Sequence, residues 1–472
     1  MAGEWAKWKR AAREQDLFVF ISRGCLYVGM FFLPLLHFKA TKGLNVSDAI
    51  FLTGFIFLTL SRRPPPRAPK TPAWYVGAFI WLLAAVLAST QADAVAQSVI
   101  VVFNGVYVFF ILQYLLRQQL FTTLYLQRAM GFFVFGTALS AFVAVCQSTF
   151  GIFLFHASTT GGSAASIGGN ARAIGLSNQP NLAGISFALG IIIGIGLILE
   201  LGLRRHWYLG ACVLVLVAAL LLSGSVSGMG ATLIGLLVLF IARGVPLKTV
   251  FQVVLALAVA YILVFGVIDR GTKLDPITRI EKSTNANAGT GGGTLELRIH
   301  TWEKAWTEIQ QKPIIGHGLD QETLAVYYDQ PLYVYYAPHN LILLYWYGGG
   351  IFMLVGLFFM VGSSFSRTLS GRRAGKWHDP MKDIILAAMV ADLLFSMAGP
   401  ELVDRWFWMP FILALTIRPR RDPALALDDA IGDTAPLPPP APAPTPAVQG
   451  NGQPRRVRGS VGRHARPADG DT

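Results

Sequence analysis

The chain has 472 residues, of which 53% are hydrophobic and only 14% charged, and its mean hydropathy is +0.51. These values exclude an ordinary soluble globular protein and predict an all-α polytopic membrane protein. The formal net charge of +13 would suit a nucleic-acid ligand, but most of the excess lies in short loops between apolar segments and in a basic C-terminal tail. We therefore interpret it as topological charge and exclude nucleic acid as a partner.

Apolar runs of about 20 residues predict about twelve transmembrane helices. In chain order the predicted spans are Leu17–Phe38, Leu44–Leu60, Ala73–Thr90, Gln97–Leu116, Gln127–Phe150, Leu182–Leu203, Trp207–Leu222, Val226–Ile241, Val250–Ile268, His339–Ser364, Met381–Ser396 and Leu402–Ile417.

Lys and Arg concentrate in alternate short loops, which places those loops and both termini in the cytoplasm. Lys39 and Lys42 are exceptions in the first external turn. Residues 1–16 form a cytoplasmic N-terminus that is too charged for a signal peptide, so the first span is expected to be retained. Residues 418–472 form a cytoplasmic tail, rich in proline and basic residues, that predicts polyproline or disordered chain.

Nine of the predicted spans lie within residues 17–268 and three within 339–417. Two longer segments are external: a loop at about 151–180, and a large loop at 269–338 that separates the two groups of spans. In the second, Leu295, Ile299, Trp302, Trp306 and Ile309 recur at helical spacing and predict an amphipathic helix. Pro313 would end it.

Arg298 lies among the apolar residues of that helix, where it could bind an anion or extend its stem over the tryptophans at the bilayer interface. Arg172 precedes a helix-start signal at Asn178 to Pro180, so it could serve an anion site, although an exposed loop arginine has the same pattern.

His339 follows Pro338, which suits the first turn of a helix. The positive end of the helix dipole and the external arginines would both disfavour the charged ring, and a neutral ring can act as a general base. The alternative is a structural histidine that caps the span. Asn340 could orient the ring or a sugar hydroxyl, and Asn181 is a further candidate for a supporting role.

The topology places Arg172, Arg298 and His339 on one membrane face. Two guanidiniums suit a diphosphate, and a neutral histidine suits activation of a hydroxyl. The combination predicts transfer of a group from a lipid diphosphate to an alcohol.

No metal or cofactor is predicted, because the external acids form no tight pair and His156, His300 and His317 lack zinc-ligand spacing. Cys25, Cys146 and Cys212 fall within predicted spans and indicate no disulfide framework.

The chain resembles the bacterial O-antigen ligases (WaaL type), within a superfamily that includes O-antigen polymerases and some O-linked oligosaccharyltransferases. The resemblance covers roughly the first 420 residues and is carried by three motifs: "RAIGLSNQPNLAG", "LRIHTWEKAWTEIQQKPIIGHGLD" and "PHNLILLYWYGGG". Many relatives have an arginine in the Ser-rich turn, where this chain has Val226 and Ser227 in "SGSVSGMG".

The resemblance implies an inner-membrane glycosyltransferase of the GT-C type with a periplasmic active site. It would transfer a completed glycan from undecaprenyl diphosphate to lipid A-core, with inversion and without metal, and would complete lipopolysaccharide. Arg172, Arg298 and His339 match the family's functional residues. The motifs do not separate a ligase from a polymerase or an oligosaccharyltransferase. A polysaccharide transporter is a more distant alternative, for which the intramembrane Asp392 is a pointer.

Overall fold

A computed structural model describes residues 17–41, 44–61, 71–150, 172–177, 179–263, 294–320, 325–326, 334–335, 338–370, 379–399 and 402–417. The chain divides into two units, Met1–Arg421 and Asp422–Thr472. Every described residue belongs to the first. The predicted N-terminal segment 1–16, most of both external loops and the predicted tail at 418–472 lie outside the described residues.

The described part of the chain is helical. The helices are α1 (Leu17–Phe32), α2 (Val46–Thr59), α3 (Pro72–Ser89), α4 (Val95–Gln119), α5 (Thr123–Phe150), α6 (Pro180–Leu201), α7 (Trp207–Ser223), α8 (Val226–Arg243), α9 (Leu247–Leu263), α10 (Thr294–Gln311), α11 (Leu341–Leu369), α12 (Pro380–Ser396) and α13 (Arg405–Thr416). Within α4, residues Tyr107–Leu112 form a π-helical segment. Two short antiparallel pairings join β1 (Lys39–Thr41) to β2 (Leu44–Asn45) and β3 (Ala325–Val326) to β4 (Val334–Tyr335).

Six of these helices are long and apolar enough to cross a membrane: α3, α4, α5, α6, α8 and α11. Four shorter helices, α1, α2, α7 and α9, are also apolar. Large apolar side chains such as Leu83, Phe103 and Phe251 point out of the bundle, as lipid-facing residues do. The described helices therefore form a polytopic membrane protein.

The bundle packs tightly where helices meet through glycine. A Cβ at Gly77 would lie 2.7 Å from the carbonyl oxygen of Gly356, and a Cβ at Gly356 would lie 2.7 Å from the carbonyl oxygen of Gly77, so α3 and α11 approach backbone to backbone. In the same way, Gly228 of α8 packs on the backbone of Gly184 in α6. Small residues at such crossings are the usual way in which membrane helices pack.

One end of the bundle holds Arg172 and the start of α11, and we call it the Arg172 end. Hydrogen bonds at this end join the 172–177 segment to the chain just after α1 and to the end of α7. Others join the chain after α10 to α4 and α11, and α11 to the chain just before α13. These bonds run from His37 N to Leu176 O (2.9 Å), Ala173 N to Leu222 O (3.3 Å), Leu319 N to Ser98 Oγ (3.0 Å), Gly318 N to Gly348 O (3.0 Å) and Tyr345 Oη to Leu402 O (2.5 Å).

Two predicted boundaries were wrong. The first predicted span, Leu17–Phe38, ends as a helix at Phe32, and the chain then turns with Leu35 N bonded to Phe32 O at 3.0 Å. Pro34 follows closely and has no N–H to continue the helix. Pro338 does not begin α11 either, because the helix starts at Leu341 and Asn340 is its N-cap.

The regular helical conformation of α11 is interrupted at Gly350, whose φ of 69° and ψ of −172° are not helical. We call this interruption the opening of α11. The segment from Pro313 to Gly318 docks at this opening: Ile351 N donates to Pro313 O at 3.0 Å, and His317 N donates to Tyr347 O at 2.9 Å. A Cβ on Gly350 would lie 1.9 Å from Ile314 O, so both the conformation and the space require glycine.

We predict that Gly350→Ala destabilises the protein by at least about 2 kcal/mol, because the left-handed φ and the backbone contact both oppose a Cβ. Gly230→Ala is the matched control, since a Cβ there meets nothing within 4 Å. Unfolding of the purified protein in detergent measures the difference. Equal stability of the two variants would contradict the proposed role of the opening.

Candidate functional site

Helix α10 packs along the first turns of α11. Its buried Ala305 and Ile309 contact Tyr347, and the rings of Trp306 and Trp346 meet edge to face with 5.5 Å between centroids. Farther along, Pro313 accepts the bond from Ile351. The contacts advance together along both helices, so α10 and α11 run side by side in the same direction. This alignment brings the start of α10 toward the start of α11.

The junction after α10 is fixed by one histidine. The ring of His317 stacks on Tyr347 at 4.9 Å between centroids with an interplanar angle of 11°. Its Nε2 lies 2.7 Å from the carbonyl oxygen of Glu308, and Trp346 Nε1 donates to Pro313 O at 3.1 Å. His317 therefore contacts both helices and is a structural residue.

Arg298 and His339 lie at the starts of these two helices and interact electrostatically. Burial, followed by repulsion from the Arg298 guanidinium, lowers the pKa of His339 from 6.5 to about 4. Burial also lowers the pKa of Arg298 from its ordinary value. The His339 ring is therefore neutral at physiological pH and can accept a proton. Sequence reasoning anticipated the arginine and the direction of the shift, but not the burial that dominates it.

Asn340 is the N-cap of α11, whereas the prediction that Pro338 lies in the first turn would place Asn340 within the helix. Its Oδ1 accepts hydrogen bonds from Ile342 N at 3.0 Å and from Leu343 N at 3.2 Å, so the side chain caps α11. The cap fixes where the helix begins and thereby where the preceding His339 lies. The Asn340 side-chain oxygen is thus bonded to the backbone of α11.

Arg172 is half-buried and donates three hydrogen bonds. Its Nε donates to Ser223 O at 2.8 Å, and its Nη2 donates to Asn181 Oδ1 at 2.9 Å and to Gly224 O at 3.4 Å. Asn181 is in the first turn of α6, and Ser223 and Gly224 form the turn between α7 and α8. The guanidinium is consequently oriented by two elements, one of which is the first turn of α6 at Asn181.

The segment that carries Arg172 is anchored to α5 by buried polar side chains. Gln147 Oε1 accepts from Gly175 N at 2.9 Å, its Nε2 donates to Gly175 O at 3.2 Å, and Ser140 Oγ accepts from Leu176 N at 2.9 Å. Gly175 has a φ of 59° and packs on the Ser140 carbonyl. Gln147 was not identified from the sequence, because a glutamine within an apolar run carries no signal of its partner 28 residues later.

The Ser-rich turn between α7 and α8 consists of Gly224 and Ser225, and Val226 and Ser227 are the first residues of α8. The backbone carbonyls of Ser223 and Gly224 accept hydrogen bonds from Arg172. Ser225 caps α8 with its side chain, which accepts from Gly228 N at 3.2 Å. The turn therefore positions Arg172 through its backbone.

The candidate residues thus form two pairs at the Arg172 end, Arg298 with His339 and Arg172 with Asn181. Within the described ranges, no group of three or more His, Cys, Asp or Glu side chains could hold a metal ion.

Because Asn340 acts as a cap, we predict that Asn340→Ala destabilises the protein by about 1 kcal/mol, whereas Asn340→Ser retains most of the stability and activity. Serine keeps a capping oxygen but is too short to replace an amide that binds a sugar. Thermal unfolding and a transfer assay measure both effects. Loss of activity in the serine variant at unchanged stability would assign Asn340 to the substrate instead.

Residues 210–358 match the sequence model of the family described as O-antigen ligase (Wzy_C). The matched region extends from α7 into α11 and contains Arg298, His339 and Asn340, while Arg172 and Asn181 precede it. No curated protein shows significant similarity to the chain. The family match covers less than half of the chain and shows that this region is similar to O-antigen ligases.

Proposed function

We propose that the protein is a metal-independent, inverting membrane glycosyltransferase that transfers O-antigen polysaccharide from undecaprenyl diphosphate to a sugar hydroxyl of lipid A-core. The superfamily supports an O-antigen ligase or polymerase type of function. The observation that carries the finer proposal is the half-buried, neutral His339 at the start of α11, beside Arg298.

The proposed setting is the bacterial inner membrane, with about twelve spans in a GT-C-type arrangement and both termini in the cytoplasm. Each of the twelve predicted spans overlaps a helix of the structure. The positive-inside bias supports a periplasmic position for the Arg172 end. Arg117 and Arg243 lie in the last turns of α4 and α8, at the end of the bundle away from Arg172.

The donor would bind through its diphosphate to Arg172 and Arg298. A guanidinium offers a planar fork of donors that matches phosphate oxygens, and burial strengthens the interaction. The backbone amides at the start of α6, beside Asn181, also suit an anion. The arginines neutralise the charge that develops on the leaving diphosphate, so the proposed reaction uses neither a metal nor a cofactor.

In the chemical step, the acceptor hydroxyl oxygen attacks the anomeric carbon while its proton passes to a ring nitrogen of His339. The bond between the anomeric carbon and the phosphate oxygen breaks, and undecaprenyl diphosphate leaves with both electrons. Attack opposite the leaving group inverts the anomeric configuration.

A ring with a pKa of about 4 is a weak base, but binding of the donor would raise this pKa. A diphosphate bound to Arg298 neutralises the charge that repels the proton, and its own negative charge attracts the proton. The pKa of His339 should therefore rise when the donor binds, toward the neutral range in which a general base is most effective. His339 would therefore become an effective base only when the donor is bound.

Two alternative enzymes use the same kind of donor: an O-antigen polymerase, which extends another lipid-linked glycan, and an O-linked oligosaccharyltransferase. A transporter is favoured by Asp392 alone, a fully buried acid in α12. It leaves the Arg298 and His339 pair unexplained.

Reconstitution tests the function. Purified protein in proteoliposomes is given undecaprenyl-diphosphate glycan and lipid A-core in the presence of EDTA. Glycosylated lipid A-core is expected at the same rate with and without chelator. Longer lipid-linked glycan as the product would instead identify a polymerase, and transfer that requires Mg²⁺ or Mn²⁺ would contradict the metal-independent mechanism.

We predict that Arg298→Lys and Arg172→Lys each lose most of the transfer activity, because lysine keeps the charge but not the bidentate fork. The exposed Arg204 provides the control, and Arg204→Lys should remain fully active. Membrane-inserted protein is quantified in parallel. Full activity in both site variants would refute the diphosphate clamp.

We predict that His339→Ala reduces kcat by about 10²-fold or more, as expected for a lost general base. In the wild-type protein kcat/KM should fall on acidification with a midpoint near the free-protein pKa of about 4. Because only the neutral ring accepts a proton, the loss is on the acid side. The midpoint for kcat should lie at higher pH, since kcat reports the donor-bound state.

The exposed His300 of α10 supplies the matched control, and His300→Ala should keep both the rate and the acid limb. In His339→Ala the acid limb should vanish. Near-normal turnover of His339→Ala, or a loss of donor binding in step with turnover, would leave His339 with a structural role only.

A further inference from the structure

A second site lies at the end of the bundle opposite Arg172, where the start of α3 meets the last turns of α11. The cavity there has a volume of ≈ 490 Å³. We call it the Arg367 groove, and it is lined by Thr71, Phe358, Phe359, Gly362, Ser363 and Arg367 among other residues. None of its lining residues is acidic.

The walls of the groove are apolar and open onto the outer surface of the bundle. Phe358 is 54% exposed and Phe359 is 45% exposed, and both belong to a helix that is long and apolar enough to cross a membrane. The close contact between Gly77 and Gly356 seals α3 against α11 beside the groove. The walls of the groove therefore face the hydrocarbon of a bilayer. Its polar end, where the helices end, faces the headgroup region.

A second guanidinium, that of Arg117, lies behind Thr71 at the polar end of the groove. Arg117 Nη1 donates to Thr71 Oγ1 at 2.8 Å, and Arg117 and Arg367 repel each other electrostatically. Arg117 is only 8% exposed, and its Nε has no hydrogen-bond partner among the described residues. The two guanidiniums make the potential at this end of the groove positive, which favours an anionic ligand.

The start of α3 adds to this positive region. Its N-cap Thr71 makes no capping hydrogen bond with its side chain, and Pro72 occupies the first helical position. The Thr71 hydroxyl oxygen instead accepts a hydrogen bond from Arg117 Nη1. The first-turn amides of α3 therefore point toward the end of the groove without a side-chain cap, in the way that suits a phosphate.

We propose that the Arg367 groove binds an anionic phospholipid. Its phosphate would contact Arg367, the hydroxyl-rich edge at Thr71 and Ser363, and the start of α3. Its acyl chains would lie along Phe358 and Phe359. The apolar walls favour a lipid over a free phosphate ion, and the absence of a carboxylate among the lining residues favours an anionic headgroup over a zwitterionic one. This site is separate from the proposed donor site.

Two variants of the full chain test the proposal. Arg367→Gln removes the charge. Gly362→Leu fills the groove without a clash, since a Cβ at Gly362 meets nothing within 4 Å. Each has a matched control outside the groove: Arg204→Gln, an exposed arginine at the same end, and Gly131→Leu in α5, where a Cβ also meets nothing.

Purified proteins are equilibrated in nanodiscs that contain equal amounts of phosphatidylglycerol and phosphatidylcholine, and the lipid that remains bound is identified by native mass spectrometry. One phosphatidylglycerol per protein is expected in the wild type and in both controls. Its retention should fall roughly tenfold in Arg367→Gln and in Gly362→Leu, the effect of losing about one charge-assisted hydrogen bond.

Three results would overturn the proposal. One is equal retention of phosphatidylglycerol in the groove variants and their controls. Another is retention of phosphatidylcholine as strongly as phosphatidylglycerol. The third is displacement of the bound lipid by inorganic phosphate alone, which would reveal an anion site with no preference for lipid.

Discussion

The opening of α11 at Gly350 is the constraint on which the candidate site depends. A helix that leaves its regular hydrogen bonding in an apolar environment must satisfy the freed backbone groups elsewhere. Here the segment from Pro313 to Gly318 satisfies them through bonds to Tyr347, Gly348 and Ile351. This docking fixes the end of α10 to one place along α11. The glycines at 316, 318 and 350 all have positive φ, and each lies against backbone or alanine atoms that a Cβ would meet.

The position of Arg298 follows from that attachment. With the end of α10 fixed near Gly350 and its middle packed on Tyr347, the start of the helix extends to His339. The Asn340 cap fixes the other partner by defining where α11 begins. Arg172 is held independently: Gln147 anchors the backbone of its segment at Gly175, and Asn181 accepts a hydrogen bond from its guanidinium. The two arginines therefore have separate supports in the fold.

Much of this architecture could be predicted from the sequence, because apolar runs and helical periodicity are local signals. The amphipathic pattern from Leu295 to Ile309 correctly predicted α10. Other features depend on distant partners. The glycine run at 348–350 does not reveal which residue opens the helix, since the answer lies in the segment around Ile314. The burial of His339 and the choice of Asn340 over Pro338 as the helix boundary likewise depend on packing.

The most direct test of this account is the pKa of His339 measured by NMR in the histidine-labelled, donor-free protein and in Arg298→Gln, with the signal assigned by its loss in His339→Ala. The account predicts a pKa of about 4 in the wild type and a higher value in Arg298→Gln, which still lies below 6.5 because the ring remains buried. A wild-type pKa at or above 6.5, or the same pKa in both proteins, would show that Arg298 and His339 do not form a common site.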